Sequence, residues 1–189
     1  TGQTVYIPEG TYIVSNQTFP AYVKIIGDGI GKTILKWKSA SAQSNLINLS
    51  GLVNVVLKDI TFDANRQNQT DSTGYYGTIG GTISNESNIL IDSCQFLNGR
   101  ITDIYFIGPS GLNQYATLNI FNSIFYNGLD VSVRACQAIA LQPGIRLNAS
   151  WNTFKQPTAP VSGRAGIVMQ RPAGSTALSW SQVTITNNN

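Results

Sequence analysis

Four blocks of this chain repeat one plan: an apolar strand, a small polar turn, then a short strand closing on phenylalanine. They run from Asn54 to Phe62, Asn88 to Phe96, Leu118 to Phe125 and Ile145 to Phe154. The last three closing aromatics are 29 residues apart, and Phe62 precedes Phe96 by 34. Self-similarity at such a period predicts a solenoid, whose coils bury their apolar sides only against neighbouring coils. Function then has to be sought on the outside of a rod.

Stacked coils place equivalent residues about 4.8 Å apart. Phe62, Phe96, Phe125 and Phe154 are therefore expected to form an internal aromatic ladder, with Ile60, Cys94, Ser123 and Asn152 in an inward file beside it. Asn65, Asn98 and Asn127 fall at turns, where an amide can cap backbone groups. Between blocks lie further strands, Asp103 to Gly108, Gln137 to Gln142 and Gly166 to Gln170, each followed by Pro and then Gly (Pro109/Gly111, Pro143/Gly144, Pro172/Gly174). That punctuation keeps the phase of the strands. No window carries a helical period, so an all-β chain with almost no helix is expected.

At 189 residues the chain fits one domain, read as opening coils over 1–44 and regular coils over 45–189. Only 11% of residues are charged, so solubility rests on neutral Asn, Ser, Thr and Gly, a surface suited to hydrogen bonding with sugars. The net charge of +3 is scattered without a run of Lys or Arg, which leaves no electrostatic footprint for nucleic acid. No stretch reaches the roughly 20 apolar residues that span a bilayer. Both termini lie at strands, which leads to the expectation of a segment of a longer protein or assembly. Cys94 sits at the small inward turn position, while a disulfide to Cys136 stays open. Asn16, Asn48, Asn68, Asn85 and Asn148 begin Asn-x-Ser/Thr sequons, candidates for glycosylation of an exported protein.

The opening segment reads as strand, turn, strand around Pro8 to Gly10, and again around Gly27 to Lys32. Gly27, Gly29 and Gly31 before Lys32-Thr33 lack the spacing of a phosphate-binding loop, and no amphipathic helix follows. The stretches Val5-Tyr-Ile-Pro-Glu-Gly-Thr-Tyr12, Ile26-Gly-Asp-Gly-Ile-Gly-Lys-Thr-Ile34 and Asn54 to Asn65 resemble the pectate-lyase-like right-handed parallel β-helix superfamily. The likeness is to the first coils of bacteriophage tailspikes and of mannuronan epimerases. The resemblance implies a single-stranded right-handed parallel β-helix along nearly the whole chain. Because lyases, hydrolases, epimerases and inert adhesins share that fold, it says less about activity. Relatives commonly open with a short helix that plugs the coil. Here that segment is missing, so a capped end is expected from elsewhere.

Lyases of this superfamily hold calcium with carboxylates beside a base, and hydrolases need a carboxylate pair. Of the nine acidic residues, Glu9 and Asp28 belong to the opening turns, and Asp59 and Asp92 are expected to face solvent in repeat turns. Asp63, Asp71, Glu86, Asp103 and Asp130 remain, with Asp63 and Asp103 the catalytic candidates. Asp63 opens the long loop from Gln67 to Gly77, where binding function tends to sit. Asp103 is aligned with Gln137 and with Tyr75 or Tyr76, a strip suited to stacking and hydrogen bonding a pyranose. Arg134 and Arg164 precede successive intervening strands, either as an anion-binding file for an acidic glycan or as solvated turn arginines. The epimerase branch carries an Asp-Pro-His-Glu motif, and this chain has neither that string nor any histidine.

The first reading is thus a glycan-recognising module of a tailspike or adhesin on a cell or virion surface, outside the cell. A polysaccharide lyase or hydrolase is the second, with no cofactor or metal foreseen except calcium in the lyase case. A surface filament joined end to end is the third. Expected partners are a polysaccharide and further copies of the chain, a trimer in the tailspike case, with no nucleic acid and no membrane span.

Overall fold

The computed structural model describes residues 2–39, 45–69, 77–99, 102–111, 114–126, 137–155, 165–169 and 182–189. These build a right-handed parallel β-helix of three sheets. Strands Gln3–Ile7, Val23–Gly27, Val55–Lys58, Asn88–Asp92, Ala116–Phe121, Ile145–Ser150 and Val183–Thr186 stack in order as the first sheet. The second holds Gly10–Val14, Thr33–Trp37, Thr61–Asp63, Gln95–Leu97, Ile124–Tyr126 and Thr153–Lys155. The third holds Gln17–Thr18, Ile47–Asn48, Gly77–Thr82, Thr102–Ile107, Gln137–Leu141 and Ala165–Met169. Among the described residues helix is confined to one 3₁₀ turn, Arg66–Asn68.

Each strand alternates, with one set of side chains inside the coil and the other outside. In Ala116–Phe121 the buried set is Ala116, Leu118 and Ile120, and in Asn88–Asp92 it is Ile89 and Ile91. Registers Ile89↔Leu118 and Leu118↔Leu147 put like on like, so the core is a set of apolar files rather than a single cluster. The Phe ladder forms as expected. Phe62↔Phe96, Phe96↔Phe125 and Phe125↔Phe154 are ladder partners, and their ring centroids lie 5.4, 4.8 and 5.1 Å apart, all stacked.

The neighbouring file turns polar along the rod. Ile60 and Cys94 are fully buried, and the Cys94 thiol is free. Ser123 Oγ accepts from the Cys94 N–H at 3.2 Å, and Asn152 Oδ1 accepts from the Ser123 N–H at 3.0 Å. Asn188 Oδ1 then accepts from the Asn152 N–H at 2.9 Å. Side chains thereby satisfy the N–H groups that the corner strips of their sheet partners. After the two opening coils, the corner from first to second sheet turns on one left-handed residue: Asp59, Ser93, Asn122, Trp151 and Asn187 have φ between 52 and 59°. Asn65 and Asn98, at φ 50 and 54°, form the next corner. Asn127 lies outside the described residues.

Two glycines, beside Pro109 and Pro143, have a steric reason. A Cβ on Gly108 would come within 2.1 Å of the Pro143 carbonyl oxygen, and one on Gly144 within 2.7 Å of that of Pro109. Successive coils touch backbone to backbone there.

Candidate functional site

The outward set of the first sheet makes a mixed wall, in which linked amides stand among Val56, Leu90 and Phe121. Asn119 Nδ2 donates to Asn88 Oδ1 at 2.8 Å, and Asn148 Nδ2 donates to Asn119 Oδ1, also at 2.8 Å. Three amides from three coils are thus linked and oriented, because Asn119↔Asn148 are ladder partners and Asn88 stands two residues diagonally across. An amide carries two N–H donors and two acceptor lone pairs, and the ladder uses at most one of each. The rest face outward, an arrangement that can bridge vicinal hydroxyls. Beside it the Arg146 guanidinium lies 4.6 Å from the centroid of the Tyr115 ring, a cation–π contact that fixes both.

One carboxylate of this wall is paired within it. Asp92 accepts from Lys58 Nζ at 2.6 Å, Asn122 Nδ2 at 2.9 Å and Ser93 Oγ at 3.3 Å. Its side chain is 17% exposed, so the expectation that Asp92 faces solvent is corrected: it is a hydrogen-bond hub between coils. Burial alone would raise its pKa, but the Lys58 ammonium together with Asn122 and Ser93 holds it below the ordinary 3.8. The hydrogen bond to Asp92, more than its charge, raises Lys58 in return. In the opening turn Asp28 accepts from the Tyr6 hydroxyl and, at 2.6 Å, from the Glu9 N–H. The Tyr6 bond is the main reason that the Asp28 pKa falls and the Tyr6 pKa rises.

Asp63 stands on the outer side of the second sheet opposite Lys36, 3.5 Å from its ammonium. Its Oδ1 also accepts from the Asn65 N–H and from Asn98 Nδ2, both at 2.8 Å. These bonds tie three coils at one corner. Asp103 is 0% exposed. The register of the third sheet also corrects its expected neighbours: Gln137 pairs with Thr102, as does Gly77, so Asp103 is level with Thr78 and Ala138. The same level one coil further is Gly166, whose Cβ direction meets the Phe154 ring at 3.5 Å, which places this file against the interior. Gln137 is half-buried. Tyr75, Tyr76, Arg134 and Arg164 lie outside the described residues, as does Cys136.

Of the sequons, Asn16, Asn68 and Asn85 are exposed and Asn48 and Asn148 half-buried. Asn68 Nδ2 donates to Asn65 Oδ1, Asn48 and Asn85 accept from backbone N–H groups of Ser50 and Tyr115, and Asn148 belongs to the amide ladder. Among the described residues no three of His, Cys, Asp and Glu gather where they could hold a metal ion, and no helix is long and apolar enough to cross a membrane. The wall itself was missed in the sequence. Its signal is there: Asn119 and Asn148 share the 29-residue spacing of the Phe file with outward parity.

Comparison with known proteins fits this geometry. "Mannuronan C5-epimerase AlgE1" of Azotobacter vinelandii is 30% identical over 149 residues, covering 68% of this chain and 10% of that protein. "Mannuronan C5-epimerase AlgE3" of the same organism is 27% identical over 202 residues, covering 90% of this chain and 10% of that protein. The chain thus spans about a tenth of the length of these curated relatives. Among solved structures, the "Azotobacter vinelandii Mannuronan C-5 epimerase AlgE4 A-module" superposes with a TM-score of 0.52 at 16% identity, over 96% of this chain and 55% of that one. That likeness is one of fold. A family model described as "Rhamnogalacturonase A/epimerase, pectate lyase-like" matches residues 1–189, and the chain therefore belongs to this pectate-lyase-like family.

Proposed function

We propose that this chain recognises a polysaccharide along its lateral wall and serves attachment to a glycan-bearing surface outside the cell, in the manner of a tailspike or adhesin. The observation that carries this reading is the linked Asn88, Asn119 and Asn148 amides, oriented donors and acceptors repeated at the coil spacing on a rigid sheet. A polymer of sugars matches such a repeat, because successive residues meet equivalent groups on successive coils. The engagement of Asp63 with Lys36, Asn65 and Asn98, and the closure of Asp103 from solvent, favour binding over turnover at these two residues.

The decisive experiment is a polysaccharide array followed by a reducing-end assay on whatever is retained. Retention without new reducing ends is expected. The Asn119→Ala/Asn148→Ala pair removes two hydrogen-bonding amides and should weaken binding about thirtyfold, at about 1 kcal/mol net per bond lost. No retained polysaccharide, or equal retention by the double variant, overturns the reading.

A second reading has the same wall hold a polyuronate for chemistry, and the names of the curated relatives favour it. On that reading Asp63→Asn and Asp103→Asn should abolish turnover while leaving affinity nearly intact, and calcium dependence would mark a lyase. Sedimentation addresses assembly: a parallel trimer accompanies the attachment role, open-ended polymers a filament.

A further inference from the structure

Trp151 is the one large aromatic among the described first-to-second-sheet corners, and nothing in the coil accounts for it. The equivalent corners are Asp59, Ser93, Asn122 and Asn187, all small and polar, all at the same positive φ. Asn and Asp suit that conformation because their short side chains bond locally, whereas a bulky residue with φ of 59° is uncommon. Trp151 also leaves the core untouched, with 64% of its surface exposed. The fold thus holds a strained, solvent-facing indole where Asn would make the same corner.

Its surroundings define a ligand. One coil before it stands Asn122 and one coil after it Asn187, both exposed, at the coil spacing of about 4.8 Å. Asn122 Nδ2 is held by Asp92 Oδ1 at 2.9 Å, which fixes the amide and leaves its carbonyl oxygen to accept. Ser150, just before Trp151, and Thr186, just before Asn187, add hydroxyls. A flat apolar platform rimmed by neutral amide and hydroxyl groups is what the carbon-bound face of a pyranose needs: the ring stacks and its equatorial hydroxyls bond the rim. The corner residues beside Trp151 carry no charge.

We propose that Trp151, with Asn122 and Asn187, is a stacking subsite for a neutral pyranose residue, at the corner and apart from the amide wall. Because stacking and neutral hydrogen bonds carry it, binding there is insensitive to salt. This inference goes beyond the wall reading and stands or falls separately.

The test uses the whole chain with cellohexaose and maltohexaose as neutral probes and hexamannuronate as the acidic one, followed by calorimetry and tryptophan emission between 50 and 500 mM salt, roughly a threefold span in Debye length. At least one neutral hexasaccharide is expected to bind, to shift the emission, and to keep its affinity across that range. Trp151→Asn installs the residue that other corners use. It should fold with an unchanged or raised midpoint and lose at least tenfold in affinity, while Trp151→Tyr retains part of it. Undiminished binding by Trp151→Asn, a lowered midpoint in that variant, or binding of hexamannuronate alone overturns the subsite. Loss of array binding in the Asn119/Asn148 variant with hexasaccharide binding intact would fault neither, whereas the reverse pattern in Trp151→Asn separates the two sites.

Discussion

The inward Asn152 shows what a single side chain does in a coil corner. Its Nδ2 donates to the Ile120 carbonyl at 2.9 Å and its Oδ1 accepts from the Ser123 N–H at 3.0 Å, all out of water. Asn152→Ala orphans both backbone groups and should cost about 3 kcal/mol in urea unfolding. Cys94, two members along the same file, is a different case. Burial pushes its thiol up to about 12 from 9.0. A proton held more tightly in the folded state gives stability that is full below pH 9.0 and declines as pH rises toward about 12. The slope is at most about 1.4 kcal/mol per pH unit. Urea midpoints followed from pH 8 upward should therefore fall more steeply for the parent than for Cys94→Ala, about one unit of pH being enough to see it. Asp92 has the opposite sign: its lowered pKa contributes stability above about pH 4 that is lost as pH falls through the folded value. With the Lys58 side chain 42% exposed the pair is worth little, about 0.5 kcal/mol. Carboxyl NMR titration of Lys58→Met should show Asp92 moving up.

At the scale of the element, the Phe ladder predicts a graded response. Phe96 is 0% exposed and stacked on both sides, so Phe96→Ala should cost about 4 kcal/mol. Phe154 has its described partner only below it and is half-buried, and Phe154→Ala should cost less than half as much, about 1.5 kcal/mol, in the same urea series. This ladder and the file from Ile60 to Asn152 were legible in the sequence because the corner between first and second sheets has constant length. Counting residues there is counting register. The third sheet is reached through connections of unequal length after Leu97, Tyr126 and Lys155, so its phase cannot be counted, and Asp103 was placed one residue off. The wall escaped for another reason: an outward Asn is ordinary in a polar repeat, and only side-chain geometry links Asn88 to Asn119.

Taken whole, the molecule is a one-dimensional stack, and its stability is a sum of coil and interface contributions. Inward residues of the outermost first-sheet strands remain open: Val5 is 41% exposed, Val183 41% and Ile185 50%, while Ile89, Leu118 and Leu147 are at 0%. Native-state hydrogen exchange should accordingly show the strongest protection in the first-sheet strands Val55–Lys58, Asn88–Asp92 and Ala116–Phe121 and a decline toward both outermost strands; uniform protection would contradict a stack of this kind. Solenoid class was readable from the period and the family resemblance from the opening motifs, whereas any ligand was not, since it depends on outward groups that the core leaves unconstrained. That freedom has a use at the left-handed corners. One position per turn of the rod sets the bend through backbone shape and contributes nothing to the interior, so its side chain can be exchanged singly, and a row of such exchanges would print a chosen chemical pattern along a fixed ruler.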